Sequence, residues 1–503
     1  MTTMSEDPTM AESNPDFGIS YANLASDFYA QVGPTPVSDP RLLRLNTDLA
    51  TDLGFSTEYL SGPEGVSMLA GNLALGAADP IATAYAGHQF GNFVPSLGDG
   101  RAIQIGETVD GNGIRRDIQL KGAGPTPFSR GGDGRAAVGP VLREYVLSEA
   151  MFALGIPTTR ALAMVTTGER VQRERAEPGA ILTRVAAGYV RVGTFQYFHT
   201  RGMTDHVRAL ADYVIERRFP DVSGAPNAYR ALLDVVIECQ AELIARWLLV
   251  GFIHGVMNTD NMSIMGETID YGPCAFLDQY EPGKVFSSID RAGRYAYQQQ
   301  PEIGLWNLTR FAETLLPLLA GEESVAVESA KEALGAYTTR FQHSYHQGLC
   351  RKIGLVETSD AGQAIASSLL ESMAKNRADF TLTFRRLSEL RLDEPVRDAG
   401  VRSLFDEPTA FDVWARGWRD HLRREGREDA ARNHAMRTTN PAFIPRNHRV
   451  QQAIDALVNE QDLRPLEALL KVTKRPFDEH PELVEYAAPP EAHEVVHQTF
   501  CGT

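Results

Sequence analysis

The chain has 503 residues, 43% of them apolar and 23% charged, and a formal charge of -16. That composition belongs to a globular protein with material for two to four units of about 150 residues. So negative a balance excludes a polyanion as main partner, because nucleic-acid binding rests on Lys and Arg neutralising phosphates, although local basic clusters can still hold one nucleotide.

The opening MTTMSEDPTMAESNPDFG is acidic and polar, with neither a basic n-region nor an apolar run. Residues 1–16 therefore read as a disordered N-terminus, and a cytoplasmic location follows by default. Pro34 to Pro40 leads into a short helix expected near residues 41–53. Next comes YAGHQFGNFVPSLGDGRAIQIG, residues 85–106, whose end reads as a glycine turn entering a strand. At Gly98, Gly100 and Arg101, small residues let backbone N–H groups approach phosphate oxygens and the arginine adds a charged fork. Taken alone such a turn is more often a plain hairpin.

The alternation over residues 116–121 predicts a strand with Lys121 at its end. A second glycine-rich loop, Arg130-Gly131-Gly132-Asp133-Gly134-Arg135, follows it. Pro140 then opens a helix in which Glu144 lies early, within reach of a neighbouring strand. Residues 179–185 read as another strand, ending in charge. Arg184 and Arg191 stand seven apart around Gly188, a spacing that suits a clamp on a terminal phosphate.

A long helix is predicted over residues 229–250, from Leu232, Leu233, Val236 and Ile237 through Leu243, Ile244, Trp247 and Leu248. The segment after it, GFIHGVMNTDNMSIMGETIDYG over residues 251–272, packs His254, Asp260, Asn261 and Asp270 together. Its alternating polar and apolar residues, broken at Gly266, predict a hairpin over 261–270. Asp and Asn oxygens are hard ligands, and Asn261 and Asp270 could bracket a Mg²⁺ or Mn²⁺ ion that also contacts nucleotide phosphates. The apolar stretch 243–257 is interrupted by Arg246 and His254 and is too short to cross a bilayer. Four cysteines, Cys239, Cys274, Cys350 and Cys501, show no zinc spacing. Beyond residue 302 the pattern is helical, including a charged helix at 414–436 and a break at Pro441 and Pro445 before Arg446-Asn447-His448. From Pro476 the chain is acidic and proline-punctuated and reads as a mobile tail.

In order, a glycine turn, a strand lysine, a helix glutamate and an Asp/Asn loop resemble the two-lobed protein-kinase plan, whose catalytic loop reads H-R-D-x-x-x-x-N before D-F-G. His254 plus seven is Asn261, as in that pattern, and Asp270-Tyr271-Gly272 stands for D-F-G. His254 plus two is Val256, so the kinase base is missing. Asp260 is the carboxylate inside the loop able to replace it.

YAGHQFG, the GDGR turn, QLKGAGPTPFSRGGDGRA and HGVMNTDNMSI together resemble the selenoprotein O family of protein adenylyltransferases. The resemblance covers nearly the whole chain. It implies an α+β, protein-kinase-like bilobal fold: an N-lobe over 17–195, a helical C-lobe over 196–475 and a tail over 476–503. It also implies ATP bound in inverted orientation and AMP transferred to Ser, Thr or Tyr hydroxyls of proteins, releasing pyrophosphate. Gly98, Gly100, Arg101, Lys121, Asp133, Gly134, Arg184 and Arg191 would bind the nucleotide, with Glu144 holding Lys121. Asp260 would be the general base, and Asn261 and Asp270 would bind the metal. Cys274 and Cys501 match two positions that form a regulatory disulfide in bacterial members. The partners implied are ATP and protein substrates, with no nucleic acid and no membrane. Alternatives are transfer of UMP from UTP with Mn²⁺, γ-phosphoryl transfer, or a non-catalytic nucleotide-binding scaffold, for which the missing acid at Val256 speaks.

Overall fold

A computed structural model describes residues 17–76 and 78–500, so residues 1–16 and Cys501 lie outside it. Its first part is built on an antiparallel sheet. Across it lie Tyr29–Gln31, Ile81–Thr83, Ala102–Val109, Arg115–Lys121, Ala176–Ala186, Arg160–Gln172 and Arg41–Leu45, with Ala136–Ala137 also paired to Ala176–Ala186. The centre of this sheet is covered on both faces, which is why Ala102–Val109 is buried along nearly its whole length rather than alternately. The register sets Lys121 opposite both Ala102 and Leu182, so the lysine ends a central strand beside Arg101.

One helix, Val138–Ala153, packs on the sheet. It is buried almost all round, and a helix of that kind needs cover on every side. The sheet supplies one side. The last two helices, Asn447–Glu460 and Arg464–Lys474, supply another, with Val450, Ala453, Leu466 and Leu469 packed against Val141, Leu142, Tyr145 and Val146. Sequence periodicity assigns these two helices to the helical lobe; in the fold they return to brace the helix that carries Glu144. That helix's charges are all partnered: Arg143 with the carbonyls of Gly272 and Cys274, Glu144 with Lys121 and Arg184, and Glu149 with Arg160 and the Ala161 N–H.

The remainder is mostly helical, giving an α+β kinase-like fold. Its centre is Ala228–Leu249, flanked by Gln300–Leu319 and Glu323–Lys352. Three sequence expectations need correction. Residues 41–53 hold a strand, Arg41–Leu45, before the helix Thr47–Asp52, whose start is fixed by Asn46 accepting the Leu49 N–H. The charged helix at 414–436 is two helices, Pro408–Glu425 and Asp429–Thr439, separated where Gly426 takes φ +69°. No hairpin forms over 261–270: Ser263 bridges to Arg191 and Thr268 to Thr158. Residues 262–269 are all buried, so the alternation there does not separate a wet face from a dry one. Near the end of the described residues the Thr499 hydroxyl donates to the Pro273 carbonyl at 2.5 Å, and the Thr499 N–H to the Phe286 carbonyl at 2.8 Å.

Lys352 is buried with its ammonium 4.3 Å from the Phe384 ring centroid, and it pairs with no carboxylate among the described residues. Burial pushes its pKa down to about 7, far below the unfolded value of about 10.4. Between those pH values the unfolded chain binds the extra proton, so stability rises with pH, at about 1.4 kcal/mol per pH unit for one proton. Lys352→Met should remove that slope and stabilise the protein at and below neutral pH. Urea unfolding of both proteins between pH 6.5 and 9.5 checks this, and parallel curves would refute it.

Candidate active site

The sheet, the Glu144 helix and the segment after the long helix converge on one carboxylate. Asp270 takes the left-handed backbone region at φ +60°, uncommon outside glycine, and so turns its side chain towards the sheet. Arg184 Nη2 donates to its Oδ1 at 2.6 Å and Arg191 Nη1 donates to its Oδ2. Lys121 Nζ lies 4.0 Å from Oδ1. Burial alone would raise this carboxyl's pKa, but Arg191, Arg184 and Lys121 together outweigh it and hold it well below the usual carboxylate range.

Glu144 shares two of those cations. Lys121 Nζ donates to its Oε2 at 2.5 Å, and Arg184 Nε donates to its Oε1 at 2.6 Å. The lysine–glutamate pair expected from the sequence is therefore present, with Arg184 as a third member. Asp99 completes the group: its Oδ1 is 4.0 Å from Arg191 and its Oδ2 accepts the Thr83 hydroxyl at 2.6 Å. Three cations thus face three carboxylates, with Arg184, Arg191, Glu144 and Asp99 buried and Lys121 and Asp270 partly so. Burial is the largest influence on Lys121 and lowers its pKa, and nearby Arg184 and Arg101 push the same way.

Asp260 adjoins this group through the backbone, because Arg191 Nη1 donates to the Asp260 carbonyl at 2.5 Å. Its Oδ2 accepts Gln89 Nε2 at 3.1 Å, across 171 residues of sequence, while its buried Oδ1 has no partner among the described residues. Burial raises the carboxyl's pKa to about 6. Gly87 makes room for it, since a Cβ there would stand 2.4 Å from Oδ1. The short helical turn Thr259–Asn261 presents Asp260, and neighbours pin that turn. Thr259 Oγ1 donates to Gln196 at 2.7 Å, and Asn258 Oδ1 accepts the Tyr295 hydroxyl at 2.6 Å. Asn261 Nδ2 donates to the Val256 carbonyl at 3.0 Å.

His254, kept neutral by burial, joins the two halves of the site. Its Nε2 donates to the Ile269 carbonyl at 2.8 Å, fixing the backbone beside Asp270. Its N–H is held by Gln300 Oε1 at 3.0 Å.

The glycine turn lies beside Lys121, and another part of the chain packs on it. Phe128 packs on Gly98, where a Cβ would stand 2.4 Å from the ring, and Thr126 Oγ1 donates to the Asp99 carbonyl at 2.7 Å. Asp133 and Gly134 sit farther along that same loop. The Asp133 carboxylate is exposed and taken by Arg173 at 2.8 Å, so its contacts do not reach the cluster; Gly134, at φ +65°, packs on the Gly124 carbonyl. Cys274 is buried four residues after Asp270.

Sequence reasoning missed Gln89, Asp99, Gln196 and Tyr295 as parts of the site. Gln89 lies inside the quoted YAGHQFG motif, but its task depends on a contact that no local pattern reveals. The open role of Arg446 to His448 is structural at its first two positions: Arg446 pairs with Asp278 and Asp379, and Asn447 hydrogen-bonds both backbone groups of Phe276.

A family model described as "Protein adenylyltransferase SelO" matches residues 13–474. Among curated relatives, the "Protein nucleotidyltransferase YdiU" of a Methylorubrum extorquens strain is 60% identical over 492 residues, covering 97% of this chain and 99% of its own. Proteins of the same name from Bradyrhizobium diazoefficiens and from a Rhodopseudomonas palustris strain are each 58% identical over 487 residues, with the same coverage.

Removing Glu144 leaves Lys121 and Arg184 buried without their common counter-charge. Breaking a buried pair in this way costs about 3–5 kcal/mol. Glu144→Ala should lose stability of that order in urea unfolding, and Glu144→Gln, which keeps an acceptor, should lose less. Equal, small losses in both would show that the cluster is solvated in solution.

Proposed function

The chain belongs to the protein adenylyltransferase SelO family and is a nucleotidyltransferase; from that premise we propose that it transfers AMP from ATP, bound in inverted orientation, to Ser, Thr or Tyr hydroxyls of proteins. Pyrophosphate is the leaving group. The observation that carries this reading is the Asp260 carboxylate, held through Oδ2 by Gln89 and left with a buried Oδ1 that no described residue partners. An unsatisfied buried acceptor is costly, and a hydroxyl donor satisfies it.

In the proposed reaction the acceptor O–H donates to Asp260 Oδ1. As the hydroxyl oxygen bonds to the α-phosphorus, its proton passes to Asp260 and the α-phosphorus–oxygen bond to pyrophosphate breaks. Such positioned proton transfer contributes about 10²–10⁴-fold. Charge on the departing pyrophosphate is met by Lys121, Arg184 and Arg191, with Arg101 and the backbone of Gly98 and Gly100 at the same end. Asp133 and Gly134 enter only as the rim of the nucleotide site.

Asn261 and Asp270 offer the hard oxygen donors that Mg²⁺ or Mn²⁺ takes, and an Asp270 kept ionised by its cations fits that need. Among the described residues no cluster of three or more His, Cys, Asp or Glu could cage an ion. A metal site of one carboxylate, one carboxamide and the nucleotide's own phosphates suits the donors present. Bound there, the ion would neutralise charge on the phosphates. Both Asp270 oxygens are on arginines in this arrangement, so movement of Arg184 and Arg191 onto the triphosphate is the step that frees Asp270.

The tail supports a further part of this reading, a disulfide between Cys274 and Cys501 that restrains the enzyme when oxidised. Thr499, two residues before Cys501, holds the carbonyl of Pro273, the residue before Cys274.

Labelling of a protein acceptor from α-³²P-ATP but not γ-³²P-ATP, with Mg²⁺ or Mn²⁺ and a reductant, is the expected outcome. Asp270→Ala should abolish it, and Asp260→Ala should slow it by about 10²-fold or more. Label from the γ-phosphate alone would mean kinase chemistry, and ATP binding without either label would mean a scaffold. Separately, oxidised glutathione should slow the wild type and leave Cys501→Ser unaffected. Equal loss in both proteins would dispose of the latch.

A further inference from the structure

The hairpin that holds Asp260 also supports a cation with no carboxylate partner among the described residues. Its strands are Gly87–Gln89 and Asn92–Val94, and its tip places Phe90 at φ +50° and Gly91 at φ +83°. A left-handed phenylalanine costs about 1–2 kcal/mol and persists only where its surroundings fix it. Here the Phe90 N–H is shared between Asn258 Oδ1 at 3.1 Å and the Tyr295 hydroxyl at 3.2 Å. The tip is thereby locked to the Asp260 turn on one side and to the loop carrying Arg291 and Arg294 on the other.

Arg294 lies with its guanidinium carbon 4.8 Å from the Trp306 ring centroid. A Cβ on Gly91 would stand 3.7 Å from that same carbon, which places the arginine against the hairpin tip, two residues beyond the Gln89 that touches Asp260. The carboxylate nearest in sequence, Asp290, is occupied by the N–H groups of Arg294 and Tyr295. Arg310, on the same tryptophan, is neutralised by Glu313 at 2.6 Å. Among the described residues Arg294 has no carboxylate partner, and neither has exposed Arg291.

We propose that Arg294, backed by Trp306, and the exposed Arg291 three residues before it form the docking surface for the polypeptide acceptor and favour hydroxyls flanked by Asp or Glu. The proposal rests on Asp260 lying at the point of transfer. A guanidinium backed by an aromatic ring pairs with a carboxylate through two parallel N–H bonds, and partial desolvation strengthens that pairing. The charge of -16 does not prevent it: at 0.15 M salt the screening length is about 8 Å, so distant acidic residues are damped and contact pairs are not.

The test is binding read without turnover. Fluorescein-labelled 15-residue peptides with a central Ser flanked by Asp and Glu, by Asn and Gln, or by Lys are titrated with the full-length protein and followed by anisotropy. The acidic peptide should bind on the order of tenfold tighter than its amide counterpart, with the advantage falling as salt rises. Arg294→Glu should reverse the order. Arg291→Glu, at an exposed position that does not endanger folding, should weaken it several-fold. Equal affinities for acidic and amide peptides, or an unchanged order in both variants, would overturn the proposal. Docking preserved without AMP transfer would instead count against the proposed function, so the two failures stay distinct.

Discussion

The ion cluster around Asp270 is the constraint on which the site depends. Desolvating a carboxylate and three cations is expensive, and attraction compensates only when geometry is tight and the remaining donors are satisfied. That requirement ties together parts of the chain far apart in sequence: Asp99 from the glycine turn, Lys121 and Arg184 from adjacent strands, Glu144 from a helix and Asp270 from the segment beyond the long helix. A strand slip of one residue would turn Lys121 or Arg184 to the other face of the sheet and break it. The register of the two central strands is thus a functional specification as much as a packing one.

The helical C-terminal region contributes to the same end from outside. Helices Asn447–Glu460 and Arg464–Lys474 cover the Glu144 helix on the side away from the sheet. Without them, Val141, Leu142, Tyr145 and Val146 would face water, at about 1.5–3 kcal/mol for each large apolar side chain exposed. Arg446, buried and paired with Asp278 and Asp379, fixes where that returning chain starts. Position of the glutamate, and through it of Lys121 and Arg184, is set by packing from two directions.

What could be read from the sequence follows this division. Residue types whose task is local were legible: Lys121 at a strand end, Glu144 early in a helix, the loop from His254 to Asp270, and the long apolar helix before it. Sequence pattern misread residues 261–270 as a hairpin because alternation there has a different cause: polar Ser263 and Thr268 bond to distant backbone inside a segment that is buried throughout. The charged stretch 414–436 looked continuous because a single left-handed glycine breaks a helix without changing its composition. Gln89 and Asp99 were invisible as site residues for another reason: each acts across the fold, and neither periodicity nor spacing encodes a partner that distant.

On the proposed reading, Asp260 stands in for the acid absent at Val256. Val256 is buried, its N–H is turned to His254 and its carbonyl receives the Asn261 carboxamide, so this position serves the loop's own backbone. Asp260, four residues later, meets the hairpin that Gly87 and Gln89 bring against it. On the proposed reading, inversion of the nucleotide and relocation of the base are one change seen from two sides, because the phosphate presented to the acceptor and the group that receives its proton must lie at the same mouth.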